Sequence, residues 1–160
     1  MKENLEDFYA DPDPWRFQET PDDAERKAKI LAALTPYGMF DMALDLGAGE
    51  GWLTRDLPAY VRDGYELSDT AAARFPHFVN RVLHPSNKYD LVVATGVLYP
   101  QYDWQELIGL INTCSERIIL TCNIMEWEVG THLIHGKQVF DMEFPYRNYT
   151  QKMRIFDRCL

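Results

Sequence analysis

Apolar residues fall in short runs along this chain, and the runs alternate between a helical and a strand period. Thr20-Pro21-Asp22-Asp23 opens the first helical stretch. Threonine suits the N-cap, proline tolerates the first helical position, and acids complement the positive end of the helix dipole. A helix over 24–34 is predicted, stopped by Pro36 and Gly38. A strand over 42–46 follows, then a helix from Glu50 to Leu57 ended by Pro58. The second strand is read at 64–67, a short helix at 70–74 and a third strand at 78–83. Tyr89-Asp90-Leu91-Val92-Val93-Ala94-Thr95 is the clearest strand, a continuous apolar run suited to a sheet centre. Asp103-Trp104-Gln105-Glu106 opens a helix with a box-like cap that reaches Thr113, and 117–122 makes strand five. Residues 139–144 and 152–158 alternate like two strands around a turn over 145–148. The stretch 123–136 lacks a sustained helical period and reads as an irregular loop or stunted helix. Residues 1–20, polar, aromatic-rich and broken by Pro12 and Pro14, are expected to lie over the surface.

The densest chemical signal sits where the first strand ends, in Ala43-Leu44-Asp45-Leu46-Gly47-Ala48-Gly49-Glu50-Gly51-Trp52. Three alternate glycines after a buried strand let backbone pass close to a ligand, and a helix behind them would offer free N–H groups. A dinucleotide fingerprint needs its third glycine at the position of Trp52, so NAD and FAD are disfavoured. No Gly-Lys-Ser/Thr follows, which removes the phosphate loop. A dinucleotide-dependent reductase would require Trp52 to be tolerated in that turn. Glu66 closes the second strand 19 residues after Gly47, about where a Rossmann-type site places the carboxylate that accepts from ribose hydroxyls. The plain alternative is that Asp45 and Glu66 merely cap the helices behind them.

Asp45, Gly47, Gly49 and Gly51 fill every position of a motif that resembles motif I of the Rossmann-like (class I) S-adenosylmethionine-dependent methyltransferases. The likeness covers roughly 43–122. Asp13-Pro14-Trp15, Glu25-Arg26 and Tyr89-Asp90-Leu91-Val92-Val93 with Val97-Leu98-Tyr99 are similar to the nodulation-type small-molecule N-methyltransferases. That resemblance implies one α/β domain over 1–160, with 1–20 as an N-terminal lid or extension. Its sheet would be open, doubly wound, mostly parallel and seven-stranded, with helices on both faces and an antiparallel C-terminal hairpin. Two departures limit the transfer. The N-methyltransferases carry a glutamate where this chain has Gly96, so no acid/base role follows from it. Many superfamily members hold the adenine amine with an aspartate where this chain has Leu83-His84.

The expected donor is S-adenosylmethionine. Its carboxylate is expected at the amides of Gly47, Ala48, Gly49 and Gly51, and its ammonium at the carbonyls near Leu46 and Thr95, with Asp45 helping through water or fixing the turn. Its ribose falls to Glu66 and its adenine to Leu67, Leu83 and His84. Trp15 would close over it as a lid. Ligands of open α/β sheets bind outside the carboxyl ends of strands. Tyr99, Tyr102 and Trp104 after strand four, and Asn123, Trp127 and His132 after strand five, are therefore the acceptor candidates. Trp104 reads better as cover for the next helix. Transfer is an in-line displacement at an activated methyl and needs no dedicated base, so no catalytic residue is named. No Asn/Asp-Pro-Pro-Tyr/Phe motif follows strand four, and no cysteine follows a proline, which removes exocyclic-amine and cytosine C5 methylation of DNA. The function read here is methyl transfer to an N or O nucleophile of a small-molecule acceptor; a non-catalytic S-adenosylmethionine sensor or partner-activating subunit is the alternative.

Composition narrows the partners. The chain has 160 residues, 46% hydrophobic and 26% charged, which suits one globular domain with a core. A net charge of −9 without a basic, aromatic-interleaved stripe repels phosphate backbones, so nucleic acid is not an expected partner. Met1–Asp7 holds no apolar leader core and no segment reaches membrane-spanning length, so a cytoplasmic location with no membrane partner is expected. A homo-oligomer stays open. Cys114, Cys122 and Cys159 lack metal-ligand spacing and read as buried reduced thiols. His77, His84, His132 and His135 read as surface or loop residues; the last two, three apart, lack a third ligand for a metal. Glu126 and Glu128, either side of Trp127, read as a solvated face.

Overall fold

A computed structural model describes residues 4–160; Met1–Glu3, the start of the segment expected to hold no leader, lie outside the described residues. Seven strands form one sheet: β1 (Phe40–Leu46), β2 (Ala59–Tyr65), β3 (Val79–Val82), β4 (Tyr89–Thr95), β5 (Ser115–Ile124), β6 (Lys137–Tyr146) and β7 (Tyr149–Asp157). Their order is β3-β2-β1-β4-β5-β7-β6. The first five are mutually parallel, and β7 runs antiparallel to both β5 and β6. The helices are α1 (Leu5–Phe8), α2 (Pro21–Leu34), α3 (Asp69–Ala72) and α4 (Trp104–Cys114). This is the open α/β sheet with a reversed C-terminal hairpin that the resemblance implied.

The alternation of strand side chains decides the layers. Ile30 and Leu34 of α2 pack with Ala43, Leu91, Val93, Ile118 and Leu120 on one face. Leu107, Ile108 and Ile111 of α4 pack with Leu44, Leu46, Val92 and Ile119 on the other. Both faces of β4 are thus covered, which is why its sequence is apolar without a break. From β1 the chain winds outward through β2 and β3, then returns to place β4 on the opposite side of β1. The reversal opens a crevice at the carboxyl ends of β1 and β4.

Several elements depart from the sequence reading. No α-helix follows the glycines: the connection holds only a 3-10 turn, Thr54–Asp56, and β2 begins at Ala59. Six residues between Gly51 and Pro58 are too few to offset helix nucleation, and the chain closes i−3 bonds instead (Asp56 N–H to Leu53 O, 3.0 Å; Leu57 N–H to Thr54 O, 3.3 Å). The first half of β2 escapes notice because Tyr60 and Val61 are exposed, leaving no apolar run to read. The hairpin turn tightens to Arg147-Asn148, with Arg147 at φ 50, because Pro145 is accommodated inside edge strand β6. Of the 123–136 stretch, Asn123 and Ile124 complete β5, and the rest holds no helix beyond the 3-10 turn Thr131–Leu133. Cys114 and Cys122 are buried, but Cys159 is exposed two residues past β7, against the expectation of three buried thiols. All four histidines are exposed. No helix among the described residues is long and apolar enough to cross a membrane.

Candidate functional site

A cavity of about 840 Å³ occupies the crevice, within the range of ligand sites. Its walls are the glycine bend after β1, the turn after β2, the segment after β4, the N-terminal stretch and the β6–β7 hairpin.

At the bend Gly47 adopts φ +78 and Gly49 φ +59, conformations that L side chains rarely hold. A Cβ on Gly47 would lie 2.4 Å from Val97 Cγ1, so the segment after β4 presses against bare backbone. The bend spends its amides on the protein. Gly47 and Ala48 donate to the Tyr65 carbonyl (2.9 and 3.1 Å), Gly49 to Glu66 Oε1 (2.8 Å) and Gly51 to the Ala48 carbonyl (2.9 Å). With no helix behind them either, these amides form no vacant anion cradle, contrary to the sequence reading.

Glu66 lines the cavity at the end of β2. One carboxylate oxygen accepts from Gly49 N–H and the other from Ser68 N–H, both at 2.8 Å. Burial pushes its pKa up, and those two amides and Arg81 oppose the shift. Each oxygen keeps a second lone pair for a ligand hydroxyl. Asp45 lies under the bend, accepting from Thr54 Oγ1 at 2.8 Å, and burial raises its pKa to about 6. Neither carboxylate caps an α-helix: Ser68, not Glu66, caps α3, and no helix follows Asp45.

Beneath this floor sits Arg26, a cavity residue that the sequence reading noted only as part of a resemblance. Asp23, Arg26, Ile30 and Leu34 form the buried stripe of α2, so two charges occupy an apolar helical face. That interruption of the stripe was the available signal. Asp23 Oδ1 lies 3.6 Å from Arg26 Nε, and the guanidinium is flanked by the rings of Phe17, Trp52 and Tyr146 at 5.4, 5.5 and 5.8 Å.

The end of the cavity beyond β4 and β5 is aromatic. Tyr99, Tyr102, Trp104, Trp127 and Tyr149 line it. Tyr99 and Trp127 meet edge-to-face at 5.9 Å, and Trp127 and Tyr149 at 4.6 Å. The Tyr99 hydroxyl accepts from Ile124 N–H at 2.7 Å, and burial pushes its pKa up. Trp104 serves both readings: it lines the cavity while a Cβ on Gly130 would lie 2.6 Å from its ring.

Residues 4–20 do more than cover surface. Tyr9 is buried, its hydroxyl 3.1 Å from the Cβ position of Gly49 and 3.4 Å from Trp15 Nε1. Trp15 meets Phe8 at a tilt (4.6 Å) and stacks with Phe17 (6.3 Å), and all three rings line the cavity. Glu50 ties the segment down by accepting from Asp13 N–H and Arg74 Nη1, both at 2.8 Å, and Arg147 Nη2 donates to the Trp15 carbonyl at 3.0 Å.

Of the residues expected at the donor, Trp15, Asp45, Gly47, Ala48, Gly49, Glu66, Leu67 and Thr95 line the cavity. Four do not. Leu46 is in the core below, and Gly51 faces Phe75 and Pro76. Leu83 and His84 stand exposed beyond the end of β3, which stops at Val82. Of the acceptor candidates, Tyr99, Tyr102 and Trp127 line the cavity but Asn123 and His132 do not. The buried Asn123 carboxamide accepts from the amides of Val97 (3.1 Å) and Leu98 (3.3 Å) and donates to Glu128 (3.0 Å), fixing the loop after β4. Glu128 is accordingly no solvated residue: its side chain is buried between Asn123 and Arg154. Among the described residues no group of three or more His, Cys, Asp or Glu is placed to hold a metal.

No protein-family model and no curated protein sequence matches the chain. Solved structures do. It is similar to the N-methyltransferase NodS from Bradyrhizobium japonicum WM9 in complex with S-adenosylhomocysteine: TM-score 0.80, 16% identity, 96% of this chain and 95% of that one. It is also similar to magnesium protoporphyrin IX methyltransferase (ChlM) from Synechocystis PCC 6803 with bound S-adenosylmethionine, with TM-score 0.71, 14% identity and coverage of 96% and 95%. A methyltransferase-like structure from Pseudomonas syringae matches at TM-score 0.66 and 15% identity, over 84% of this chain and 98% of that chain. The sheet and its reversed hairpin have the Rossmann-like methyltransferase fold, that of NodS and ChlM.

Proposed function

We propose that this chain is an S-adenosylmethionine-dependent methyltransferase acting on a nitrogen or oxygen nucleophile of a small-molecule acceptor. The observation that carries the reading is Glu66, a buried carboxylate anchored by two amides beside a positive-φ bend at the switch-point cavity. Its remaining lone pairs suit a ribose diol, with Leu67 on the adenine side. Thr95 and Gly96 then lie where the reacting methyl would face the aromatic end. The fit extends to volume, since about 840 Å³ leaves room for an acceptor beside the donor.

S-adenosylmethionine supplies a sulfonium-activated methyl group. The chain's own contribution is orientation and exclusion of water. Tyr99, Trp127 and Tyr149 present ring faces and edges that hold an acceptor, and the Trp15 segment covers the mouth. Bringing the two reactants into line supplies much of the rate, so the absence of a carboxylate at Gly96 is no obstacle.

Calorimetry with S-adenosylmethionine and S-adenosylhomocysteine tests the donor site, and incubation with methyl-labelled donor and a library of amines and hydroxylated molecules tests transfer. The expected outcome is binding of both nucleosides and label in at least one acceptor. Tight donor binding without transfer to any acceptor would favour a sensor or activating subunit; no binding would sink the whole reading.

A further inference from the structure

We propose that Gln151 selects the acceptor: its carboxamide N–H and the Tyr99 hydroxyl together donate to a carbonyl oxygen on the molecule that is methylated. This rests on the methyltransferase reading above and adds a substrate class to it. Strand alternation puts Tyr149, Gln151 and Met153 on one face of β7. Tyr149 is a partly exposed ring of the cavity wall, and Met153 is fully buried in the core. Gln151 stands between them, 3% exposed and lining the cavity. It is the one amide of that row, placed where core gives way to cavity. Its register partner on β5 is Ile124, whose N–H anchors the Tyr99 hydroxyl at 2.7 Å. The carboxamide therefore lies at the foot of the wall made by Tyr99, Trp127 and Tyr149.

Hydrogen-bond accounting shows what this place lacks. Gln151 Oε1 accepts from Cys122 Sγ at 3.3 Å. Burial pushes the Cys122 pKa up to about 12, so the thiol keeps a proton to donate and the amide oxygen turns towards it. That leaves Nε2 with two N–H groups and no acceptor among the described residues. Tyr99 repeats the pattern. Its oxygen accepts from Ile124 N–H, and its proton, retained because burial raises the pKa, meets no acceptor among the described residues. Buried donors without acceptors are costly, and a ligand oxygen relieves that cost. A carbonyl oxygen has two lone pairs, one for each donor. An ammonium group at the same point would meet only N–H and O–H hydrogens and is turned away.

The test measures transfer from methyl-labelled S-adenosylmethionine, on the intact chain, to acceptor pairs that differ only in a carbonyl in place of a methylene. The pairs are phenacylamine against phenethylamine and phenacyl alcohol against phenethyl alcohol, with S-adenosylhomocysteine affinity by calorimetry as the control. Wild type is expected to favour the carbonyl member by about 10- to 100-fold in kcat/KM. Gln151→Met keeps the side-chain length without the N–H groups. It should bring the preference to within about threefold and leave S-adenosylhomocysteine within about twofold of wild type. Gln151→Glu replaces donors by lone pairs and should reverse the preference. Wild type that treats the members of each pair alike overturns the proposal. So does a Gln151→Met protein that keeps the preference, or one that loses S-adenosylhomocysteine as well, since Gln151 would then serve the donor or the packing. Donor binding without transfer to either carbonyl member ends the Gln151 role and leaves the donor reading standing; if wild type binds no S-adenosylhomocysteine, the donor reading itself has failed and Gln151 falls with it.

Discussion

The two ends of the cavity are built from different materials. At the proposed donor end the surfaces are backbone and charge: a bend with its amides locked to Tyr65 and Glu66, and carboxylates buried at Asp45 and Glu66. At the proposed acceptor end they are rings carried by the loops after β4 and β5 and by the hairpin, with Trp127 and Tyr149 about two-fifths exposed. Backbone geometry has few ways to vary without unfolding the bend, whereas ring positions on loops change with single substitutions. Such a division suits an invariant ligand at one end and a variable one at the other.

The largest effect should come from crowding the bend. Gly47 and Gly38 both have positive φ (+78 and +69), but a Cβ at Gly38 meets nothing within 4 Å while one at Gly47 strikes Val97. Gly38 has ψ −148, close to a region that essentially only glycine occupies, so Gly38→Ala should cost backbone strain alone, about 1–3 kcal/mol. Gly47→Ala adds overpacking and should cost about 2–5 kcal/mol in urea unfolding, with loss of S-adenosylhomocysteine binding. Equal costs at the two glycines would remove close approach as the reason for the bend.

Glu66→Ala comes next. It leaves the amides of Gly49 and Ser68 without acceptors, which should lower stability by about 2–4 kcal/mol and weaken S-adenosylhomocysteine by about tenfold or more. A variant that loses stability yet binds normally would reduce Glu66 to a structural staple.

Asp45 offers a pH test of the same end. Its carboxyl has a pKa of about 6 in the folded chain against 3.8 unperturbed, so the folded state retains a proton that the unfolded state has released. The stability this proton contributes is full below about pH 4 and is lost as pH rises through about 6. Asp45→Asn keeps an acceptor for Thr54 without the buried charge. It should exceed wild type by about 1–3 kcal/mol at pH 8 and converge with it near pH 4, read from urea unfolding at each pH. Parallel pH curves would mean that Asp45 is not held in a desolvating site.

The donor end was also the more legible one, and the reason is local. Asp45, the glycines and Glu66 lie at fixed spacing within two consecutive strands, so chain order alone brings them together. What that spacing could not reveal was hydrogen-bond traffic. The sequence offers vacant amides, but the shortened connection before Pro58 folds them back on Tyr65 and Glu66. Leu83 and His84 were placed at the end of a third strand read over 78–83 and fall past the end of a four-residue one. Tyr146, Arg147 and Tyr149 were illegible for a different reason: only the packing of the hairpin, more than 100 residues from α2, brings them to the cavity. Asn123 was placed correctly at a strand end, but its side chain turns inward to hold Val97 and Leu98 instead of meeting a ligand.

The smallest effect on the folded chain is expected at Trp127, and it bears most directly on whether the two ends are separable. Its ring is 40% exposed and contacts Tyr149 and Tyr99 without a hydrogen bond to either. Aromatic pairs of this kind contribute about 0.5–1.5 kcal/mol beyond burial, so Trp127→Ala should shift unfolding by no more than about 2 kcal/mol. Because its ring partners are Tyr99 and Tyr149, S-adenosylhomocysteine affinity should stay within about twofold of wild type, whereas methyl transfer to whichever acceptor responds should fall. Tyr99→Phe makes the complementary change. It removes the oxygen that accepts from Ile124 N–H and leaves the ring, so it disturbs the loop while preserving the aromatic wall. If Trp127→Ala weakens the donor as strongly as Glu66→Ala does, the cavity is a single coupled site and the aromatic end is donor wall, leaving the acceptor to enter by another face.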